Sequence, residues 1–144
     1  VMSQNEEVCL RSLMEERLEY FSLLIESKKL SLSTHYEANP ILLIDRKKIS
    51  KVIDNILSNA IKYNKIGGLI RIDVHSKSLS IKDSGVGIEE AKLGLVFERY
   101  SRFNTSVGGF GIGLNIVALI AKEYDLHVNI SSQLNKGTEV IISW

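Results

Sequence analysis

A chain of 144 residues is the length of one domain, and 44% apolar with 24% charged residues is the balance of a globular protein rather than a disordered one. A formal charge of +1 excludes the basic excess that nucleic-acid binding leaves, and no apolar run approaches the ~18 residues of a membrane span. The single cysteine, Cys9, excludes an internal disulfide, and Val1 to Asn5 lacks the pattern of a signal peptide.

The first pattern is Leu10, Leu13, Met14, Leu18, Phe21, Leu24, Ile25, the i, i+3, i+4 spacing of an amphipathic helix. Leu30, Leu32, Thr34 and Tyr36 alternate with polar residues and predict a strand, which Asn39-Pro40 breaks. Ile41 to Ile44 reads as a short buried strand. A second helix carries its apolar stripe on Ile49, Val52, Ile53, Ile56, Leu57, Ala60 and Ile61, with Asp45 as N-cap, and Gly67-Gly68 closes the segment. The basic runs Lys28-Lys29 and Arg46-Lys47-Lys48 read as solvated helix ends.

Ile70, Ile72, Val74 and then Leu79, Ile81 predict a hairpin around His75 to Ser78, followed by a sharp loop over Asp83 to Gly87. Ile88 to Phe97 reads as a short helix and Arg99 to Gly109 as a loop. Ile112 to Tyr124 is apolar on nearly every side, as in a helix buried deep in the domain. Two last strands alternate as Leu126, Val128, Ile130 and Thr138, Val140, Ile142, Trp144, joined by a turn containing Asn135-Lys136-Gly137. Strands in adjacent pairs separated by helices predict an α+β fold: a two-layer sandwich of a mixed, mostly antiparallel sheet with helices on one face. The βαβαβ alternation of a doubly wound sheet is missing.

Three groups of residues carry chemistry. On the second helix Asn55, Asn59 and Lys62 share an arc of roughly 60°, apart from the apolar stripe. Amide oxygens are neutral hard ligands for Mg²⁺, and a lysine is a point charge for phosphate. The competing reading is a solvated polar face. Asp83 continues the inward phase of Leu79 and Ile81, so its carboxylate points at the core and needs a donor such as an exocyclic amine. The competing reading is an Asx turn over Ser84-Gly85. Gly85 and Gly87 allow a tight turn lying close against a flat base. Gly109-Phe110-Gly111-Ile112-Gly113-Leu114 opens the last helix, where free N–H groups favour phosphate. It lacks the preceding strand of a dinucleotide fingerprint and the Lys-Ser/Thr of a P-loop. It suits a mononucleotide, or else a packing loop, with Lys62 and Arg102 as available cations.

In order and wording these motifs resemble the GHKL ATP-binding superfamily, and within it the sensor histidine kinases. Asp54 to Tyr63 is similar to the N box, Asp83 to Ile88 to the G1 box, Val96 to Phe103 to the F box, Gly109 to Leu114 to the G2 box, and Gly137-Thr138 to the third glycine motif. The resemblance implies the Bergerat-type α/β sandwich as a single catalytic domain over the chain, with residues before Leu10 at most the tail of a dimerisation helix or a linker. It implies ATP and Mg²⁺ as cofactors. Asn59 would hold the metal, with Asn55 supporting it or contacting phosphate. Lys62 and Tyr63 would lie along phosphates or sugar, and Arg102 would approach the terminal phosphate. Asn55, Lys62 and Arg102 are thus the implied catalytic set. Asp83 would take the adenine amino group and Gly87 would lie beneath the base. Gly85, Ile88, Phe97, Ile112, Leu114 and Thr138 would line the site through their boxes. Gly109, Gly111 and Gly113 would form the hinge and phosphate cradle.

The resemblance further implies phosphoryl transfer from ATP to a histidine on a dimerisation domain outside this chain. A response-regulator receiver domain would act downstream, in a cytoplasmic setting under a membrane-anchored parent, without nucleic acid and without membrane contact by the chain itself. Phe110 departs from the usual small or hydroxyl residue, Tyr100 replaces a phenylalanine, and the lid is short. None of His35, His75 or His127 precedes an acidic residue, so all three read as structural. The alternatives are an ATPase module of the same superfamily, as in type II topoisomerases or MutL-type proteins, and an adaptor that binds no nucleotide. Hydrolysing members place a glutamate one turn before the metal asparagine, where this chain has Asn55.

Overall fold

The computed structural model describes residues 4–87 and 110–144. The helix expected over Ile88 to Phe97 and the loop expected over Arg99 to Gly109 lie outside the described residues. In chain order the elements are β1 (Asn5–Cys9), α1 (Leu10–Tyr20), α2 (Ser22–Ser27), β2 (Ser31–Tyr36), β3 (Ile41–Asp45), α3 (Arg46–Lys62), β4 (Leu69–Val74), β5 (Ser78–Asp83), α4 (Phe110–Glu123), β6 (His127–Gln133) and β7 (Gly137–Ser143).

Five strands form one sheet in the order β2-β4-β5-β7-β6. β2 runs parallel to β4 and the other neighbours are antiparallel. Strand alternation gives each face its character. Ile70, Ile72, Val74, Leu79, Ile81, Val140 and Ile142 are buried on the inner face, in one cluster with the helical stripes. Arg71, Lys82 and Glu139 sit at the alternate positions. This is the expected two-layer α+β sandwich, with a mixed sheet and its helices on one side. Asp83 pairs with Ile70 on one side and Thr138 on the other, at the end of the inner row.

α3 is the element that the sequence describes best. Asp45 caps it by accepting the Lys48 N–H at 3.1 Å, which satisfies one of the unpaired donors of its first turn. All seven residues of the expected stripe, from Ile49 to Ile61, are buried. Burying an Ile or Leu contributes ~1.5–3 kcal/mol each, so the stripe decides which face of α3 meets the core and which is left for chemistry.

Four expectations change. Asn5–Cys9, expected to be at most a helix tail or linker, is strand β1, paired antiparallel with β3 from Asn5↔Asp45 to Cys9↔Ile41. Val8 alone on this strand is buried, so no alternation announces it. β3 is not a buried strand: this two-stranded ribbon stands outside the main sheet, which leaves Ile41 and Leu43 exposed and buries Ile44. The first helix is interrupted at Phe21, whose ring is itself buried, and Leu24 faces outward. α4 is not buried on every side. Leu114, Val117, Ile120 and Ala121 face the core, whereas Leu119 is 59% exposed, because a helix in a two-layer fold has one layer to pack against.

Candidate nucleotide site

The site begins with two amides on α3 and a glycine on α4. A Cβ placed on Gly113 would lie 3.1 Å from Asn55 Oδ1 and 3.7 Å from Asn59 Nδ2. Glycine therefore lets the first turns of α4 approach both amides. Asn55 donates its Nδ2 to the Lys51 carbonyl of its own helix at 2.7 Å, which holds the side chain in place. Asn59 Nδ2 is buried and has no hydrogen-bond partner among the described residues. A buried unsatisfied polar group costs ~1–3 kcal/mol, so this amide is set for a partner that the described residues do not supply.

Asp83 stands across the cleft. Its Oδ1 accepts the Gly85 N–H at 2.8 Å, so the Asx turn is real. Asp83 also lines the cleft. Burial pushes its carboxyl up to about 6, against the N–H groups of Gly85 and Thr138, which pull it down. The cleft walls are apolar: Ile56, Ala60, Ile81, Leu114, Ile130 and Val140. Its polar groups are Asn59, Asp83 and Thr138. Apolar walls with a few convergent polar groups are the usual composition of a small-molecule site. Thr138 is fixed by a 2.7 Å hydrogen bond between its hydroxyl and that of Ser132.

The loop after Asp83 is clamped on both sides. Val86 donates its N–H to the Tyr63 carbonyl at 3.0 Å and accepts the Asn135 N–H at 2.6 Å. Gly87 has φ +71°, and a side chain there would strike the Gln133 carbonyl. Gly137, at φ +131°, packs against the Asp83 carbonyl in the same way. These two glycines are needed for backbone packing of the G1 loop on the β6–β7 turn.

The structure thus brings Asn59, Asp83, Leu114 and Thr138 to one cleft, with Asn55 and Gly113 beside Asn59. Gly85 lies behind Asp83 against the Tyr63 carbonyl. Gly111 and Ile112 lie in the first turn of α4. Lys62 and Tyr63 stand at the C-terminal end of α3, outside the cleft lining, with Lys62 Nζ 5.4 Å from the centroid of the Tyr63 ring. Ile88, Phe97, Arg102 and Gly109 lie outside the described residues. Among the described residues no three His, Cys, Asp or Glu side chains converge as a metal cluster. The donors available for a hard cation are amides, which fit an ion that keeps most of its coordination for water and phosphate. His75 Nδ1 lies 2.7 Å from Glu37 Oε2, away from the cleft.

Ile56, Ala60, Ile81, Ile130 and Val140, apolar positions of the α3 stripe and of the strand alternation, also form the cleft walls. Asn64, outside every motif of the sequence, is buried and braces the loop that follows Asp83. Its Nδ2 donates to the Leu69 carbonyl at 3.1 Å and its Oδ1 accepts the Ser84 hydroxyl at 3.2 Å. A polar residue just after the helix cap gives no signal of that role.

A profile of the family described as histidine kinase-, DNA gyrase B- and HSP90-like ATPase matches residues 44–144. The chain belongs to this ATPase family. Its matches among characterised proteins include the sensor protein RprX of Bacteroides fragilis, 33% identical over 134 residues that cover 85% of this chain and 26% of RprX. The sensor histidine kinase WalK of Bacillus subtilis is 31% identical over 138 residues, covering 84% of this chain and 23% of WalK. The chain thus spans about a quarter of the length of these relatives, and the part it shares with them contains the ATP-binding domain. The fold is that of histidine kinase catalytic domains: the catalytic domain of ThkA superposes with a TM-score of 0.84 at 23% identity, over 96% of this chain and 93% of that one. Full-length ShkA, solved in complex with AMPPNP, gives 0.84 at 20% identity over 99% of this chain and 31% of that one. Among the described residues no helix is long and apolar enough to cross a membrane.

Proposed function

We propose that this chain, as a single domain over residues 1–144, is the catalytic part of a sensor histidine kinase. In this reading it holds ATP with Mg²⁺ and presents the γ-phosphoryl group to a histidine on a dimerisation domain outside the chain. The observation that carries the reading is the convergence of Asn59, whose buried Nδ2 has no partner among the described residues, and Asp83, a half-buried carboxylate, in one apolar-walled cleft at the start of α4. Asp83 accepts the exocyclic amine of adenine and so selects against a base with a carbonyl in that place. Rotation of the Asn59 amide exchanges nitrogen for oxygen, which gives a neutral ligand for Mg²⁺. That ion, when bound, supplies charge neutralisation to the phosphates. Asn55, fixed by Lys51, supports this arrangement, and Lys62 and Arg102 bring positive charge to the phosphates. The acceptor histidine lies on another domain, so the contribution of this chain is positioning and electrostatics. Asn55 in place of a glutamate favours transfer over hydrolysis, because an amide is no general base for water. A receiver domain acts downstream, and the parent carries this domain on the cytoplasmic side of a membrane.

Titration of the chain with ATP and GTP, each with and without Mg²⁺, tests this reading. Tighter binding of ATP than of GTP, strengthened by Mg²⁺, is expected. Equal affinity for the two bases removes the role of Asp83, and no nucleotide binding at all returns the chain to the adaptor reading.

A further inference from the structure

The side of α3 away from the cleft is fastened to α1 and α2 at three heights. At its first residue, Arg46 Nη2 donates to Glu16 Oε2 at 2.8 Å. Midway, Asp54 accepts the Arg17 Nε at 2.7 Å and the Arg17 Nη2 at 2.8 Å. At its end, Lys28 Nζ donates to the Ile61 and Lys62 carbonyls at 2.8 and 2.9 Å. The three attachments are spread along the length of α3, at its first residue, at its middle and at its last turn. Asn55 and Asn59 project about 100° and 140° around the helix from Asp54, on the side that meets Gly113.

The middle attachment has the geometry that fixes rotation. A fork of two parallel N–H···O bonds sets direction as well as distance, which a single ammonium cannot do. The Arg17 side chain is 16% exposed and that of Asp54 is 30%, against 40% and 52% for Arg46 and Glu16. Arg17 is itself held, with its guanidinium 4.6 Å from the centroid of the Tyr20 ring. At a side-chain radius of ~5–6 Å, a roll of about 10° carries an amide by ~1 Å. A displacement of that size is enough to spoil a positioned ligand set.

We propose that Arg17 is a positioning residue for the nucleotide site. Its fork on Asp54 sets the roll of α3, and with it the place of the Asn55 and Asn59 amides against Gly113. The effect on nucleotide rests on the function proposed above, whereas the effect on the amides does not. The test uses the 144-residue chain, the Arg17→Lys variant, and the swap of Arg17→Asp with Asp54→Arg, which rebuilds the fork in reverse. Two quantities are read: the side-chain amide resonances of Asn55 and Asn59 without nucleotide, and the affinity for Mg²⁺–ATP. Arg17→Lys is expected to keep its backbone spectrum outside α1 and α3 and to shift both side-chain amides. It should also weaken Mg²⁺–ATP by about fivefold or more, the low end of coupling between sites. The swap should restore both quantities. Unchanged amide resonances and affinity in Arg17→Lys overturn the proposal. So does a swap that recovers thermal stability and neither of the two readouts, since that marks a purely structural pair. If Arg17→Lys does not fold, the swap decides by the same two readouts. A parent chain that binds no Mg²⁺–ATP overturns the nucleotide reading and leaves the resonances to decide on positioning.

Discussion

Gly113 on α4 meets Asn55 on α3 so closely that a Cβ on the glycine would lie 3.1 Å from the asparagine's Oδ1. The two helices carry the N-box amides and the G2 glycines, so this contact joins the two motifs in space. Asn55 is tied to the Lys51 carbonyl through its Nδ2.

Gly113→Ala separates packing from helix propensity. Alanine in a helix is worth ~1 kcal/mol over glycine, which offsets much of the cost of pushing Asn55 aside. Thermal unfolding is expected to shift by only a few degrees. Nucleotide affinity is expected to fall about tenfold or more, as a misplaced ligand set would give. Calorimetric titration beside a melting curve checks both, and undiminished affinity would show that the amides need not touch α4.

Asn59→Ala removes an amide whose buried Nδ2 has no partner among the described residues. The melting temperature should therefore hold or rise, since leaving such a group unpaired costs ~1–3 kcal/mol. The Mg²⁺-dependent part of ATP binding should disappear. A mutant that retains the same Mg²⁺ dependence would move the metal away from Asn59.

Asp83 makes stability depend on pH in an unusual direction. Its folded carboxyl is raised to about 6, above the ~3.9 of an unfolded aspartate. Between those values the native state binds the proton and the unfolded chain does not, so this group adds stability as pH falls from about 7 to about 4. The gain is at most about 3 kcal/mol, at 1.36 kcal/mol per unit. Asp83→Asn should stabilise the fold at pH 7 and lose this increment, which shows as a difference between parent and mutant denaturation curves at pH 7 and pH 4.5. ATP affinity should fall over the same acid range as the acceptor is protonated. A parent and mutant with parallel pH profiles would place the titration elsewhere.

Much of this was legible in the chain because it was local. The phase of Leu79 and Ile81 placed Asp83 on the inner face, and the stripe of α3 left Asn55 and Asn59 off the core. What was not legible depended on partners far along the chain. Strand β1 has one buried residue and exists through β3, and the outer face of α4 is apolar without being covered. Arg17 finds Asp54 37 positions away, and Gly87 is required by the Gln133 carbonyl rather than by anything near it. Periodicity reports which face is buried and is silent about what meets it.

Phosphoryl transfer is the most direct test of the central claim. The chain is incubated with γ-labelled ATP, Mg²⁺ and the histidine-bearing dimerisation domain of its own parent, and acid-labile phosphate on each protein is counted beside free phosphate. The account predicts label on the dimerisation domain, none on this chain, and slow release of phosphate in the chain's own presence. Label on His35, His75 or His127, or turnover of ATP near ~1 s⁻¹ with an unlabelled dimerisation domain, would contradict it.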